Sequence, residues 1–129
     1  MIDPATRAVR RVLRGASEGR ERRRRIPPPV RLDPDHTGAP VIYYLSPDDD
    51  RPSGGIRNLY RHVDLLNQEG IPAAVMHHRP GFRCTWFDNQ TRTAYATTVR
   101  VGLRDILVVP EFYGPGLGHL PAEPRKVVF

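Results

Sequence analysis

The reading of this chain turns on residues 41–69, VIYYLSPDDDRPSGGIRNLYRHVDLLNQE. It opens on Val41, Ile42, Tyr43, Tyr44 and Leu45, which are β-branched, aromatic or aliphatic without interruption. A run that is apolar on both alternations is buried on both faces, as an inner strand of a parallel sheet is. Residues 46–55 are too polar for anything but a loop, and they close on Ser53, Gly54 and Gly55. Over residues 56–69, Leu59, Tyr60, Val63 and Leu66 recur at helical spacing, while Arg57, Arg61, Asp64 and Gln68 fall mostly on the other side. Ser53 is an N-cap candidate for this helix, and Gly70 is the residue that ends it. Backbone N–H groups and a helix N-terminus therefore converge on one point, which is an anion site.

Working outward, Ile71-Pro72 restarts the chain in extended form and residues 73–77 read as a second strand. Strand, helix and strand in so short a span make a βαβ unit with a right-handed crossover. Residues 105–110, DILVVP, are another buried parallel strand, and Glu111 stands just past its carboxyl end, where open α/β sheets place their ligands. Residues 82–87 and 93–101 have strand-like composition with a turn at Asp88, Asn89 and Gln90, or are irregular pieces. Residues 125–129, RKVVF, begin one more strand. A short apolar strand with no helix after it is a poor edge, so the expectation is a domain cut from a longer protein. The predicted fold class is α/β, a Rossmann-like parallel sheet with flanking helices. Residues 41–129 form that domain, and residues 1–40 a basic leader and Pro-rich linker.

The 129 residues allow one domain, and an apolar fraction of 39% supports a modest core. No apolar run approaches the roughly 20 residues of a membrane helix, and no apolar secretory stretch opens the chain. The expected location is cytoplasmic, peripheral at the inner membrane face if the leader binds lipid. A single cysteine, Cys84, excludes an internal disulfide and a cysteine-based zinc cage. The net charge of +6 lies wholly in residues 1–25, where nine arginines face Asp3, Glu18 and Glu21. Ala8, Val9, Val12 and Leu13 let this leader form a short basic amphipathic helix that frays at Gly15 and Gly19. The run from Arg22 to Arg25 is either a disordered solvated tail or attracted to anionic lipid head groups. The prolines at 27, 28, 29, 34 and 40 keep the following segment out of regular structure.

Several blocks in order, YYLSPDDDRPSGGIR, GIPAAV, RPGFRCTWF, DILVVPE and RKVVF, make residues 41–129 resemble the N-terminal half of bacterial glycosyltransferases of the GT-B fold, in the group called family 4-like. The resemblance implies a Rossmann-like domain that mainly receives the acceptor. A second such domain, which would bind the nucleotide sugar, has no counterpart in these residues. It implies a nucleotide-sugar donor, a glycan or lipid-linked acceptor, no metal and no further cofactor. It maps the glycine pair that approaches the donor diphosphate onto Gly54 and Gly55.

Beside that pair, Arg57 in the first helical turn is a candidate phosphate contact. Asp48, Asp49 and Asp50 are hard oxygen ligands in a row, but adjacent residues diverge, so a solvated loop, or a loop contacting the acceptor with Asp50 in the cleft, is the expectation rather than a magnesium site. His77 and His78 end the second strand, and His77 is a candidate base because histidine titrates near neutrality. Glu111 and Tyr113 are placed for hydrogen bonding to substrate. Phe82, Trp86 and Phe87 are core packing or a sugar platform. The alternative is a stand-alone α/β binding module that uses its arginines on nucleic acid or an anionic membrane, although the glycosyltransferase reading expects no nucleic acid. A dinucleotide oxidoreductase lacks support, because the glycine fingerprint is missing and His77 and His78 stand where an acidic residue should end the second strand.

Overall fold

A computed structural model of the chain describes residues 3–129, the side chains of Glu21 and Arg22 excepted. Met1 and Ile2 of the leader, and the Arg22 side chain of the Arg22 to Arg25 run, lie outside the described residues. The apolar run read as an inner strand forms β1 (Ile42–Leu45) at the centre of a sheet with β2 (Ala73–His77), β3 (Thr93–Tyr95), β4 (Ile106–Val109) and β5 (Arg125–Val128). All pairings are parallel and the order is β3-β2-β1-β4-β5. Successive side chains of β1 serve opposite faces. Tyr43 and Leu45 pack with Met76, Leu107 and Val109, whereas Tyr44 packs with Ala73, Val75 and Val108.

The second face is covered by α2 (Gly54–Gln68), which buries Ile56, Leu59, Tyr60 and Val63. Ser53 caps it from extended backbone, accepting the Ile56 N–H at 3.4 Å. At the other end Gly70 takes φ 78, its N–H donating to the Asn67 carbonyl at 3.1 Å while Ile71 N–H donates to Leu66 at 2.9 Å. This double closure is the glycine-dependent helix ending expected there. The Asn67 carboxamide then clasps both polar groups of Ala73, at 2.9 and 3.0 Å, and so starts β2.

The first face has no α-helix among the described residues. It is covered by residues 96–101, by a 3-10 helix (Glu111–His119) and by Val30 of the linker. The expected turn at residues 88–90 does not make a hairpin, because β3 pairs with β2 in parallel and parallel partners need a longer crossover. Asn89 instead pins the crossover, its amide donating to the Cys84 and Phe87 carbonyls at 3.0 and 3.1 Å. Residues 82–87 form no strand, since side chains claim their backbone donors: Cys84 N–H goes to the Tyr60 hydroxyl at 3.1 Å and Thr85 N–H to Asp50 at 2.6 Å.

The leader departs from the expectation in two ways. α1 (Pro4–Arg24) is continuous through Gly15 and Gly19. Its start has a proline in the first turn and the Arg7 N–H donating to the Asp3 carbonyl at 3.0 Å. Its alanines, arginines and leucine are strong helix formers, against which two glycines cost about 1 kcal/mol each. The linker, in turn, is tied to the domain. Pro27 and Pro28 are buried, Leu32 bridges to Val101, and Val101 exchanges hydrogen bonds with Arg31 and Asp33 at 2.9 and 2.8 Å.

Gly116 makes this docking feasible: a Cβ there would collide with the Arg25 carbonyl and lie 2.7 Å from Pro27 Cδ. Gly116→Ala is therefore expected to loosen the strap and speed tryptic cleavage after Arg25 and Arg31 several-fold. Cleavage at the wild-type rate would contradict the docking.

Candidate functional site

The strand order reverses between β1 and β4, and open parallel sheets form a crevice beyond the carboxyl ends of their strands at such a point. A cleft of about 750 Å³ lies there. Ser46 and Pro47 leave β1 into it, Pro110, Phe112 and Tyr113 follow β4, Phe129 follows β5, and Ser53, Gly55 and Ile56 bring in the start of α2. The remaining wall comes from the leader, as Arg24, Ile26 and Pro28, and Asp48, Asp49, Arg51, Leu59 and His78 complete the lining.

At the helix start, Ile56 N–H is taken by the Ser53 hydroxyl and Arg57 N–H by the Ser53 carbonyl at 3.0 Å. Gly54 and Gly55 keep first-turn N–H groups for which the helix has no acceptor. The fold itself does not require glycine at either position. Among the described glycines only Gly70 and Gly81 have positive φ. A Cβ on Gly54 would meet nothing within 4 Å, and one on Gly55 only the Ser53 hydroxyl at 3.8 Å. Glycine in a helix is unfavourable by up to about 1 kcal/mol relative to alanine. Neither packing nor backbone conformation accounts for the pair, and both residues are exposed.

Across the cleft, Tyr113 is 1% exposed and burial pushes its phenol pKa up, with Asp48 adding to the effect. Its hydroxyl has no hydrogen-bond partner among the described residues. A neutral phenol and Gly55 thus line one cleft, with Gly54 next to it in the same helical turn.

The three consecutive aspartates diverge. Asp49 is bound to Arg51 by contacts down to 2.7 Å, and that guanidinium holds its carboxyl down to about 2. Asp50 turns to Thr85, accepting from its N–H at 2.6 Å and its hydroxyl at 2.5 Å, which lowers its pKa. Asp48 reaches across to the end of β2, accepting from the backbone N–H groups of His78 and Arg79, each at 2.9 Å. Burial works against its charge, but these donors and the neighbouring His77 outweigh burial and leave the carboxyl below its ordinary range. Among the described residues no group of three or more His, Cys, Asp or Glu side chains is arranged to hold a metal.

His77 has no exposed surface and is placed by a continuous chain of hydrogen bonds. Its Nδ1 lies 3.2 Å from Asp48 Oδ1 and its Nε2 2.6 Å from the Tyr60 hydroxyl, which accepts the Cys84 N–H. One tautomer satisfies every group: Nδ1–H donates to Asp48 and Nε2 accepts from Tyr60. Burial pushes the imidazole down to about 4 against the opposing pull of Asp48. Both ring nitrogens are engaged within the protein, so the geometry gives His77 a positioning role between the loop after β1, α2 and the residues around Cys84.

Of the residues singled out from sequence, Asp48, Asp49, Ser53, Gly55 and Tyr113 line the cleft and Gly54 adjoins it in the same helical turn. Arg57 stacks 5.7 Å above the Phe87 ring, Asp50 serves Thr85, and Glu111 is exposed with its N–H donating to the Phe129 carbonyl at 2.8 Å. None of these side chains lines the cleft, nor does His77, while its neighbour His78 does. Phe82, Trp86 and Phe87 pack against the cluster under α2. Arg24, Phe112 and Phe129 escaped sequence reasoning. Nothing local to residues 24–28 announces that the leader returns to the sheet.

Fold and cleft define a small α/β domain with a parallel sheet in Rossmann-like order and a cleft at its switch point. No protein-family model, no curated protein and no solved structure matches the chain.

Proposed function

We propose that this domain is the acceptor-side, N-terminal part of a GT-B glycosyltransferase, in which a sugar passes from a nucleotide-sugar donor to a glycan or cell-envelope acceptor. The observation that carries this reading is the pair Gly54 and Gly55, glycines for which packing and backbone conformation give no reason, at a helix start bordering the switch-point cleft. Donor diphosphate placed there meets N–H groups that offset the charge developing on the leaving phosphate. The Tyr113 hydroxyl and His78 supply polar contacts for a sugar, and the cleft volume lies within the range of small-ligand sites. The block-by-block resemblance of residues 41–129 to these enzymes points the same way.

In this division of labour the nucleoside is held by a second domain, so the 129 residues alone turn over no donor. Saturation-transfer NMR with UDP-, GDP- and dTDP-hexoses tests it. The hexose protons of one donor should saturate more strongly than its base protons. Dominant saturation of the base, or none for any donor, would overturn the assignment, as would sugar transfer by the purified chain above the buffer rate.

A further inference from the structure

α1 has an apolar face without a partner among the described residues. Val9, Val12 and Leu13 are 58%, 70% and 64% exposed, although the helix ends in a segment firmly docked on the domain. At 100° per residue, Ala5, Ala8, Val9, Val12, Leu13 and Ala16 share one side, while Arg7, Arg10, Arg11 and Arg14 lie on the other. Residues 4–20 carry five arginines against the single acidic residue Glu18. We propose that α1 lies on an anionic lipid surface, its aliphatic stripe among the acyl chains and its arginines at the lipid phosphates.

Three observations select this occupant. The charge is complementary to acidic head groups, and a basic helix with an aliphatic stripe is what lies in a membrane interface. A nucleic acid would use the arginines but leave the stripe in water. A second copy of the chain is poorly served by a stripe about 18 Å long with three aliphatic side chains larger than alanine, far short of the roughly 800 Å² per partner of a stable interface. Because α1 ends at Arg24, in the cleft wall, a helix lying on the membrane keeps the cleft near the head groups. This last consequence rests on the proposed function and makes a lipid-linked acceptor the natural substrate class.

Co-flotation of the full chain with vesicles tests the lipid contact by itself, without any donor or acceptor. Phosphatidylcholine vesicles containing about a third phosphatidylglycerol should retain the chain at least tenfold better than phosphatidylcholine alone. Val12→Glu with Leu13→Glu, which keeps every arginine, should lose at least tenfold, and so should Arg7, Arg10, Arg11 and Arg14 all changed to Gln. The sites are exposed, so the domain should keep its unfolding transition in both variants. Three results would overturn the proposal: no preference for anionic vesicles; retention unaffected by the two glutamates, which would mark a simple polycation with nucleic acid as the better partner; or sedimentation as a dimer that the two glutamates dissolve. A failed donor-saturation experiment would leave the vesicle result standing, and a failed flotation would leave the cleft assignment standing.

Discussion

Acidification from pH 7 to about pH 4 is expected to lower the unfolding free energy by about 3 kcal/mol through His77 alone. Once unfolded, its imidazole takes up a proton near the ordinary value of 6.5, but within the folded protein only near about 4. Between those values the unfolded chain holds the extra proton, so stability rises with pH across the window. The contribution is complete above 6.5, is lost as pH falls through the window, and has no further slope below about 4. Asp48, Asp49 and Asp50 act lower down: each has a depressed folded pKa, so its contribution is present above the ordinary 3.8 and is lost only as pH falls below it. Urea unfolding across this range measures the slope. His77→Gln should be less stable at pH 7, since Asp48 and Tyr60 lose a matched partner, yet nearly flat between 6.5 and 4. A wild-type midpoint that does not move over that window would refute the buried neutral imidazole.

The second large effect is a change of opposite sign in stability and binding. Replacing both Gly54 and Gly55 by Ala introduces side chains that meet no close neighbour, at positions without positive φ. Each replacement should stabilise the protein by about 0.5 kcal/mol or more, through helix propensity and a less flexible unfolded chain. If a diphosphate approaches these N–H groups as closely as the proposal requires, the added methyl groups crowd it, and affinity for a diphosphate should fall at least tenfold. Thermal unfolding and a diphosphate titration of the double variant check the two halves. A destabilised variant would mean that the glycines serve the fold, and unchanged affinity would mean that the ligand lies elsewhere.

Much of this architecture was legible because its signals are local. The uninterrupted apolarity of β1, the Ser53 cap, the Gly70 ending and the clean boundaries of β2 each follow from a few adjacent residues. The central strand and the switch-point cleft follow from them almost directly. What sequence did not reveal depends on distant partners. Asp50 looked like a cleft residue until Thr85, 35 positions away, claimed both of its oxygens. His77 looked like a base until Tyr60 and Asp48 closed on its two nitrogens. Arg57 sits in the right helical turn, but its guanidinium is drawn over Phe87. The docking of the linker was hidden for a related reason: a proline run reads only as irregular, and its partners Gly116 and Val101 lie far along the chain, while α1 itself stays largely exposed. Helical glycines with neither strain nor crowding, by contrast, become informative only when the sequence motif and the structure are considered together.

The central claim is that the N–H groups of Gly54 and Gly55 form an anion site in the switch-point cleft. It is tested most directly by titrating the ¹⁵N-labelled chain with inorganic pyrophosphate and following every backbone amide at fixed ionic strength. The account predicts saturable shifts concentrated at Gly54, Gly55 and Ile56. Shifts confined to the arginines of α1, or none at the start of α2, would contradict it.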